Sequence, residues 1–184
     1  MLYDIFEGIV NKKFLNFFYF VLTVAMLIAA LKIFNCLPMM IQKDTMRRYH
    51  SIEEVKSKLN IKEIPIPSYF PQSLVWPPSE IFAQNKPFTA VVMEFNNSSK
   101  AEVALVISHA SSKNFKADEK IKIIQIKDRV NYPVKGRNVL LEAGVCKDEE
   151  PCSRIAWDDG RYRITVTTKA SPPELLKIAE SMIR

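Results

Sequence analysis

Two cysteines near the end of the chain have the type and spacing that most clearly indicate chemistry. Cys146 and Cys152 enclose Lys-Asp-Glu-Glu-Pro between two predicted strands. Cysteines at a strand–turn–strand junction can reach the Cα separation of about 5.5 Å that a disulfide requires. A redox-active pair normally has the spacing Cys-x-x-Cys at a helix N-terminus, and zinc needs further ligands, which neither His50 nor His109 supplies nearby. We therefore predict a structural disulfide.

Other candidates for catalysis or metal binding are weak. His109 ends an apolar strand but has no serine, cysteine or carboxylate partner at a recognisable spacing. The acidic residues that could attract calcium lack the periodicity of an EF-hand and are interpreted as solvated turns. They are Asp148, Glu149, Glu150, Asp158 and Asp159. The chain also lacks a glycine-rich phosphate loop and the motifs GxSxG and HExxH. We predict no catalytic residue, no cofactor, no metal site and no enzymatic activity.

Length and charge restrict the remaining classes of protein. The chain has 184 residues, 48% of them hydrophobic, which is enough for one ordinary domain and an appendage. Its 26 basic and 20 acidic residues give a net charge of +6. The basic excess is spread along the chain instead of forming a stripe, so we predict no nucleic-acid partner.

An uncharged apolar run near the N-terminus predicts a transmembrane helix. It extends from Phe14 to Leu31, and an 18-residue helix is about 27 Å long, close to the bilayer core of about 30 Å. Lys32 interrupts the run, which continues apolar to Ile41, so residues 14–41 are taken as the anchor and its extension. A cleaved signal peptide is the alternative. Its apolar core is usually shorter and ends in a small-x-small site, so an uncleaved anchor is favoured.

Charges on the two sides of the apolar run give conflicting evidence on orientation. Lys12 and Lys13 precede the run and favour a cytoplasmic N-terminus, whereas Lys32 and Lys43 follow it. The predicted disulfide decides the orientation, because disulfides persist in oxidising compartments. We predict a single-pass protein with a cytoplasmic tail (1–13), the anchor, a linker (42–50) and an extracytoplasmic domain (51–184).

The first part of this domain contains a short helix and a proline-rich segment. Ser51 and Glu54 form a capping box that begins a helix ending near Asn60. Residues 64–88 hold six prolines and five aromatic residues, which predicts neither a regular helix nor a central strand. The segment either wraps the domain and inserts its aromatic side chains, or acts as a polyproline ligand. The candidate binding surface consists of Tyr69, Phe70, Trp76 and Trp157.

From residue 89 onward, alternating and apolar runs predict strands. Asp158-Asp159-Gly160 predicts a three-residue turn between the last two strands, and Ser171 with Glu174 predicts a capped final helix. The expected fold is α+β: an antiparallel sheet of five or six strands, flanked by an N-terminal and a C-terminal helix. The predicted strands cover residues 89–95, 101–108, 120–127, 138–143, 153–157 and 161–168.

The order of these features resembles a known bacterial domain. The resemblance is carried by the motifs in 66–71, 155–160 and 173–181, and it covers about residues 51–184. The chain resembles the uncharacterised extracytoplasmic domain at the C-terminal end of bacterial membrane-bound anti-sigma factors, which is distantly similar to the lipoprotein carrier LolA and the regulator RseB. Those factors bind sigma through a cytoplasmic domain, and here only about 13 residues precede the span.

The resemblance implies a location and two main functions. The location is the inner membrane of a bacterium, and the domain is a non-enzymatic module that binds or senses an envelope protein or a ligand. The alternative is a lipid or lipoprotein carrier of the LolA and RseB type, with an unfilled apolar cavity between sheet and helices. A thiol-redox enzyme is a remote third hypothesis. A filled core with an exposed apolar patch would favour the binding module. The oligomeric state is left open.

Overall fold

The computed structural model describes residues 14–32, 46–117, 120–147 and 149–183. The chain divides into two compact units, Met1–Asp44 and Thr45–Arg184, which are considered separately. The predicted cytoplasmic tail, the apolar extension after Lys32 and the first part of the predicted linker (42–45) lie outside the described residues.

The first unit contains one apolar helix, α1 (Phe14–Lys32). Within the part of the chain that the structure describes, it is the single helix long and apolar enough to cross a membrane. None of its most apolar 18-residue stretch is buried. The polar hydroxyl of Thr23 donates a hydrogen bond to the carbonyl oxygen of Tyr19 at 2.7 Å, so the helix satisfies it internally. Its length and composition are those of a membrane anchor or a signal sequence.

The second unit is an α+β domain built on an antiparallel sheet. Its strands are β1 (Arg47–Tyr49), β2 (Glu80–Gln84), β3 (Ala90–Asn96), β4 (Val103–Ala110), β5 (Ile123–Val134), β6 (Arg137–Cys146), β7 (Pro151–Asp159) and β8 (Tyr162–Thr168). In space they follow the order β1-β2-β3-β4-β8-β7-β6-β5. The long connection from β4 to β5 therefore crosses the sheet to its far edge.

The sheet in the described residues has eight strands, so the prediction of five or six was wrong. The two additional strands lie where none was expected. β1 lies in the predicted linker, and β2 lies in the proline-rich segment and pairs with β1 and β3. β2 is possible there because Glu80–Gln84 contains no proline, so its amide groups can enter the ladder between Pro78 and Pro87.

Two tight turns set the register of the β5–β6 and β7–β8 hairpins. Val134 pairs with Arg137, and the residues between them, Lys135 and Gly136, both have positive φ (46° and 78°), as a type I′ turn requires. Asp159 pairs with Tyr162, so the last hairpin also has a two-residue turn. The predicted three-residue turn was therefore wrong, because Asp158 and Asp159 belong to β7.

Helix α2 (Ile52–Leu59) is capped much as predicted. The Ser51 hydroxyl accepts a hydrogen bond from the Glu54 amide at 3.1 Å. The Glu54 carboxylate accepts from the backbone amide of His50 at 3.0 Å, one residue earlier than the standard box. Asn60 ends the helix in the left-handed conformation, with φ of 53°.

Helix α3 (Pro172–Met182) begins without the predicted side-chain cap. Ser171 makes no side-chain capping bond, and its carbonyl oxygen accepts from the Glu174 amide at 3.2 Å. The two prolines at the start of the helix have no amide hydrogen, so fewer donors need a cap.

Each face of the sheet is covered in part. One face packs against α2, α3 and the proline-rich segment, and its buried cluster includes Val55, Phe95, Ile107 and Leu175, all fully buried. The other face carries a smaller cluster under the connection from β4 to β5, whose Ile121 is buried there. The exposed side chains at the margins of this packing form the candidate site.

Candidate docking surface

The proline-rich segment is fixed to the sheet by backbone hydrogen bonds. The Val75 amide donates to the carbonyl oxygen of Asn96 at 2.9 Å, and the Ser79 amide donates to that of Glu94 at 2.8 Å. Residues 73–79 thus continue the line of β2 along the end of β3. These bonds give partners to backbone amides of the non-proline residues in the segment, and they hold its aromatic side chains in place.

Three aromatic rings form a stack at the end of β3. The centroid of Phe70 lies 5.2 Å from that of Phe95 and 5.3 Å from that of Trp76. Trp76 lies 6.1 Å from Phe95, with the two planes 23° apart. Phe95 is fully buried, Phe70 is half-buried, and Trp76 is 52% exposed. Contacts of this kind hold an aromatic side chain in one orientation while part of its surface remains free.

Two further exposed apolar side chains adjoin this stack in the sequence. Tyr69 precedes Phe70 and is 39% exposed, and Val75 precedes Trp76 and is 44% exposed. We call Tyr69, Phe70, Val75 and Trp76 the Trp76 surface. Tryptophan and tyrosine held rigid on a surface are the residues that most often contribute binding energy at protein interfaces.

Trp157, the fourth member of the predicted surface, lies in the core. It is 2% exposed and belongs to the buried cluster beneath the helices. It lies opposite Ile164 of β8 on the face that α3 covers. Alternation along β7 explains its burial, because Trp157 shares the covered face with Ile155. Trp157 is therefore a packing residue and is removed from the candidate surface.

Cys146 and Cys152 lie at disulfide-bonding distance at the junction of β6 and β7. Their Cα atoms are 5.6 Å apart, and each residue is 2% exposed. The turn between them is closed by the Cys146 amide, which donates to the carbonyl oxygen of Glu150 at 2.9 Å. The pair packs against Val106 and Ile121, so this bridge is buried under the connection from β4 to β5.

The disulfide is expected to stabilise the domain. Replacing both residues, as Cys146→Ser with Cys152→Ser, should lower the free energy of unfolding by about 2 kcal/mol, because the bridge closes a short loop. Urea unfolding of the full chain in detergent, with and without reductant, measures this difference. Reductant should destabilise the native chain but leave the double variant unchanged. Equal sensitivity of both proteins to reductant would contradict the prediction.

The acidic turn residues that the structure describes lie at opposite ends of β7 and do not converge, and Asp148 lies outside the described residues. Glu150, at the disulfide end, pairs with Lys100 and Lys169 at 3.4 and 3.5 Å. At the other end Asp158 pairs with Arg163 at 3.3 Å. No group of three or more metal-ligating side chains occurs among the described residues.

Two buried carboxylates were not anticipated from the sequence. Glu94 is 3% exposed and its carboxylate lies 2.7 Å from Lys120 Nζ. The hydrogen bond to Glu94 raises the pKa of Lys120. Glu142 is buried between Arg129 at 2.7 Å and Arg154 at 3.6 Å. Each carboxylate is neutralised by a neighbouring cation, so both form structural ion pairs: Glu142 with residues of neighbouring strands, and Glu94 with the connection from β4 to β5.

The comparisons with known proteins add no relative. No family model, curated protein or solved structure matches the chain. The resemblance to the anti-sigma-factor domain therefore stays a prediction. The features that bear on function are the Trp76 surface, the buried disulfide and α1.

Proposed function

We propose that this protein is a non-enzymatic docking module, anchored in the inner membrane of a bacterium, whose extracytoplasmic domain binds an envelope protein. The observation that carries the proposal is Trp76, which is 52% exposed although Phe70 and Phe95 fix its ring. A rigid exposed tryptophan pays little conformational entropy on binding and buries a large area. Tyr69 and Val75, which precede Phe70 and Trp76 in the sequence, are also exposed.

The packing of the domain favours docking over lipid transport. A carrier needs an unfilled apolar cavity that accepts acyl chains. Between the sheet and the helices, the described side chains form one continuous buried cluster, with Leu105, Ile155 and Ile178 at 1% exposure or less. The exposed apolar groups lie instead on the outer surface, where a protein can reach them.

Helix α1 and the disulfide together support the membrane part of the proposal. A buried disulfide forms in an oxidising compartment, which favours export of the second unit. We expect alkaline phosphatase fused to the C-terminus to be active in cells, and green fluorescent protein fused there to be dark. An immunoblot should show the full 21.2 kDa chain in the membrane fraction, because α1 is not cleaved. A fluorescent fusion would contradict export of the second unit, and a shortened chain in the soluble fraction would contradict the anchor.

Photocrosslinking in intact membranes tests the docking function. Trp76 is replaced by the photoreactive residue benzoylphenylalanine, and Ser57, exposed on α2, is replaced in the matched control. We expect a discrete protein adduct from position 76, at a yield about tenfold above that from position 57. Adding Tyr69→Ser and Val75→Ser should reduce the yield. Equal yields from both positions, or adducts with lipid alone, would overturn the proposal.

A further inference from the structure

The two edges of the sheet differ in a way that packing does not require. β1 has three residues, two of them arginines, whereas β5 has 12 residues, and all but its first and last are exposed. An edge strand presents unpaired amide and carbonyl groups that can pair with another strand, and proteins usually blunt such edges. The edge at β1 is short and charged. The edge at β5 is long.

The register of β5 shows which backbone groups are available. The ladder to β6 is irregular up to Asp128 and then continues without interruption to Val134. The type I′ turn makes Val134 and Arg137 a hydrogen-bonded pair, so alternation directs the amide and carbonyl groups of Arg129 and Asn131 away from the sheet. Pro133 occupies the third outward position, where its missing amide removes no bond within the sheet.

The apolar side chains of this stretch are also uncovered. Val130 is 52% exposed and Tyr132 is 44% exposed. Val130 lies opposite Leu141, and Tyr132 lies opposite Val139. Both are on the face of the sheet that α3 covers over β7 and β8. A strand added at β5 could therefore place apolar side chains beside Val130 and Tyr132 and continue the covered face.

Charge distinguishes the occupants that could fill this edge. Residues 122–135 contain four exposed basic residues, Lys122, Lys127, Arg129 and Lys135, and a single acidic residue, Asp128. Arg129 is held in the ion pair with Glu142, so the positive charge that a partner meets comes from the three lysines. Pairing of two copies of β5 would bring like charges together in one sheet, which is destabilising. An acidic segment would instead gain favourable electrostatic interactions.

We propose that the outward edge of β5, from Asp128 to Val134, binds an extended acidic segment of a partner protein as an added strand. The segment alternates apolar side chains, which pack beside Val130 and Tyr132, with carboxylates, which face the basic residues around the edge. Its backbone pairs with the outward groups of Arg129 and Asn131. This binding edge is separate from the Trp76 surface and does not depend on it.

A synthetic strand tests the proposal directly. The probe is a fluorescein-labelled heptapeptide of alternating glutamate and valine, blocked at both ends, and its anisotropy is measured with the full chain in lipid nanodiscs. Asn131→Pro removes an outward amide without changing the charge, and we expect it to weaken binding at least about tenfold. Val130→Ser with Tyr132→Ser should weaken binding similarly. Ile124→Ser, at an exposed position outside the regular stretch, should change the affinity less than about twofold.

The controls separate strand addition from simple charge attraction and from self-association. A lysine–valine heptapeptide should bind at least about tenfold more weakly than the glutamate–valine probe. Circular dichroism confirms that each variant is folded before its affinity is used. The proposal would be overturned if the native chain, the single variant Asn131→Pro and the double variant Val130→Ser with Tyr132→Ser all bound the probe equally. A dimer of the free chain that Asn131→Pro dissociates would also overturn it, because the occupant would then be a second copy. These readings are independent of crosslinking at position 76, so either idea can fail alone.

Discussion

Truncating Trp157 to alanine is expected to lower the free energy of unfolding by about 3–5 kcal/mol, the cost of removing a large aromatic side chain from a packed core. Trp157 is 2% exposed and packs in the cluster that joins β7 to α3. A domain of ordinary stability has only about 5–15 kcal/mol to lose, so Trp157→Ala leaves little or no margin. Urea unfolding of the full chain in detergent measures the change.

The chain provides its own matched control, because it has two tryptophans. Trp76→Ala removes the same side chain from a site that is 52% exposed, and we expect a loss of about 1 kcal/mol from the contacts with Phe70 and Phe95. Each single variant leaves one tryptophan as a fluorescent probe. Emission from Trp76→Ala, in which the buried Trp157 remains, should lie at shorter wavelength than emission from Trp157→Phe, in which the exposed Trp76 remains.

Trp157→Phe keeps an aromatic ring in the core and leaves a smaller cavity than alanine does, so we expect it to be folded even if Trp157→Ala is not. The fluorescence comparison therefore remains available if the alanine variant fails to fold. Similar stability losses for Trp76→Ala and Trp157→Ala, together with equal emission maxima, would contradict the assignment of one tryptophan to the surface and the other to the core.

Local patterns were sufficient to predict the elements that local interactions define. The predicted start of α2 at Ser51 and its end at Asn60 agree with the structure, because a cap is made within a few residues. The two strands β3 and β4 were also predicted, since each is an apolar run. In contrast, β2 is defined by its pairing with β3, and β1 by its pairing with β2, and no short window of sequence contains that information.

The candidate site shows the same division between local and distant information. The burial of Trp157 could have been found from alternation, because Ile155 and Trp157 share a face of β7. The exposure of Trp76 could not, because the prolines around it remove any periodicity. The exposure of Val130 and Tyr132 depends on the position of β5 at the edge, which is set by the long connection after β4. Apolar residues in an edge strand resemble those in a central strand until the order of the sheet is known.

Acidification should destabilise the domain through His109. This residue is 3% exposed in β4, its ring centroid lies 4.0 Å from that of Tyr162, and its Nδ1 has no hydrogen-bond partner among the described residues. Burial lowers the pKa of His109 from 6.5 to about 4, with Asp159 raising it and Arg161 lowering it by smaller amounts. The unfolded chain therefore takes up the proton near pH 6.5, whereas the folded chain takes it up only near pH 4.

The stability that depends on a neutral His109 is thus complete above pH 6.5 and is lost as the pH falls toward 4, by about 3 kcal/mol in total. Urea unfolding at about pH 7.5 and about pH 4.5 measures this loss. Carboxylates that titrate in the same range change the free energy of unfolding of every variant alike, so they cancel in the comparison. His109→Phe keeps a ring beside Tyr162 that does not titrate, so its loss on acidification should be smaller by about 3 kcal/mol. His50→Phe, at the other histidine of the chain, controls for removing an imidazole from an exposed site. If native protein and His109→Phe lose equal stability between these pH values, His109 is not the buried group that the acid protonates.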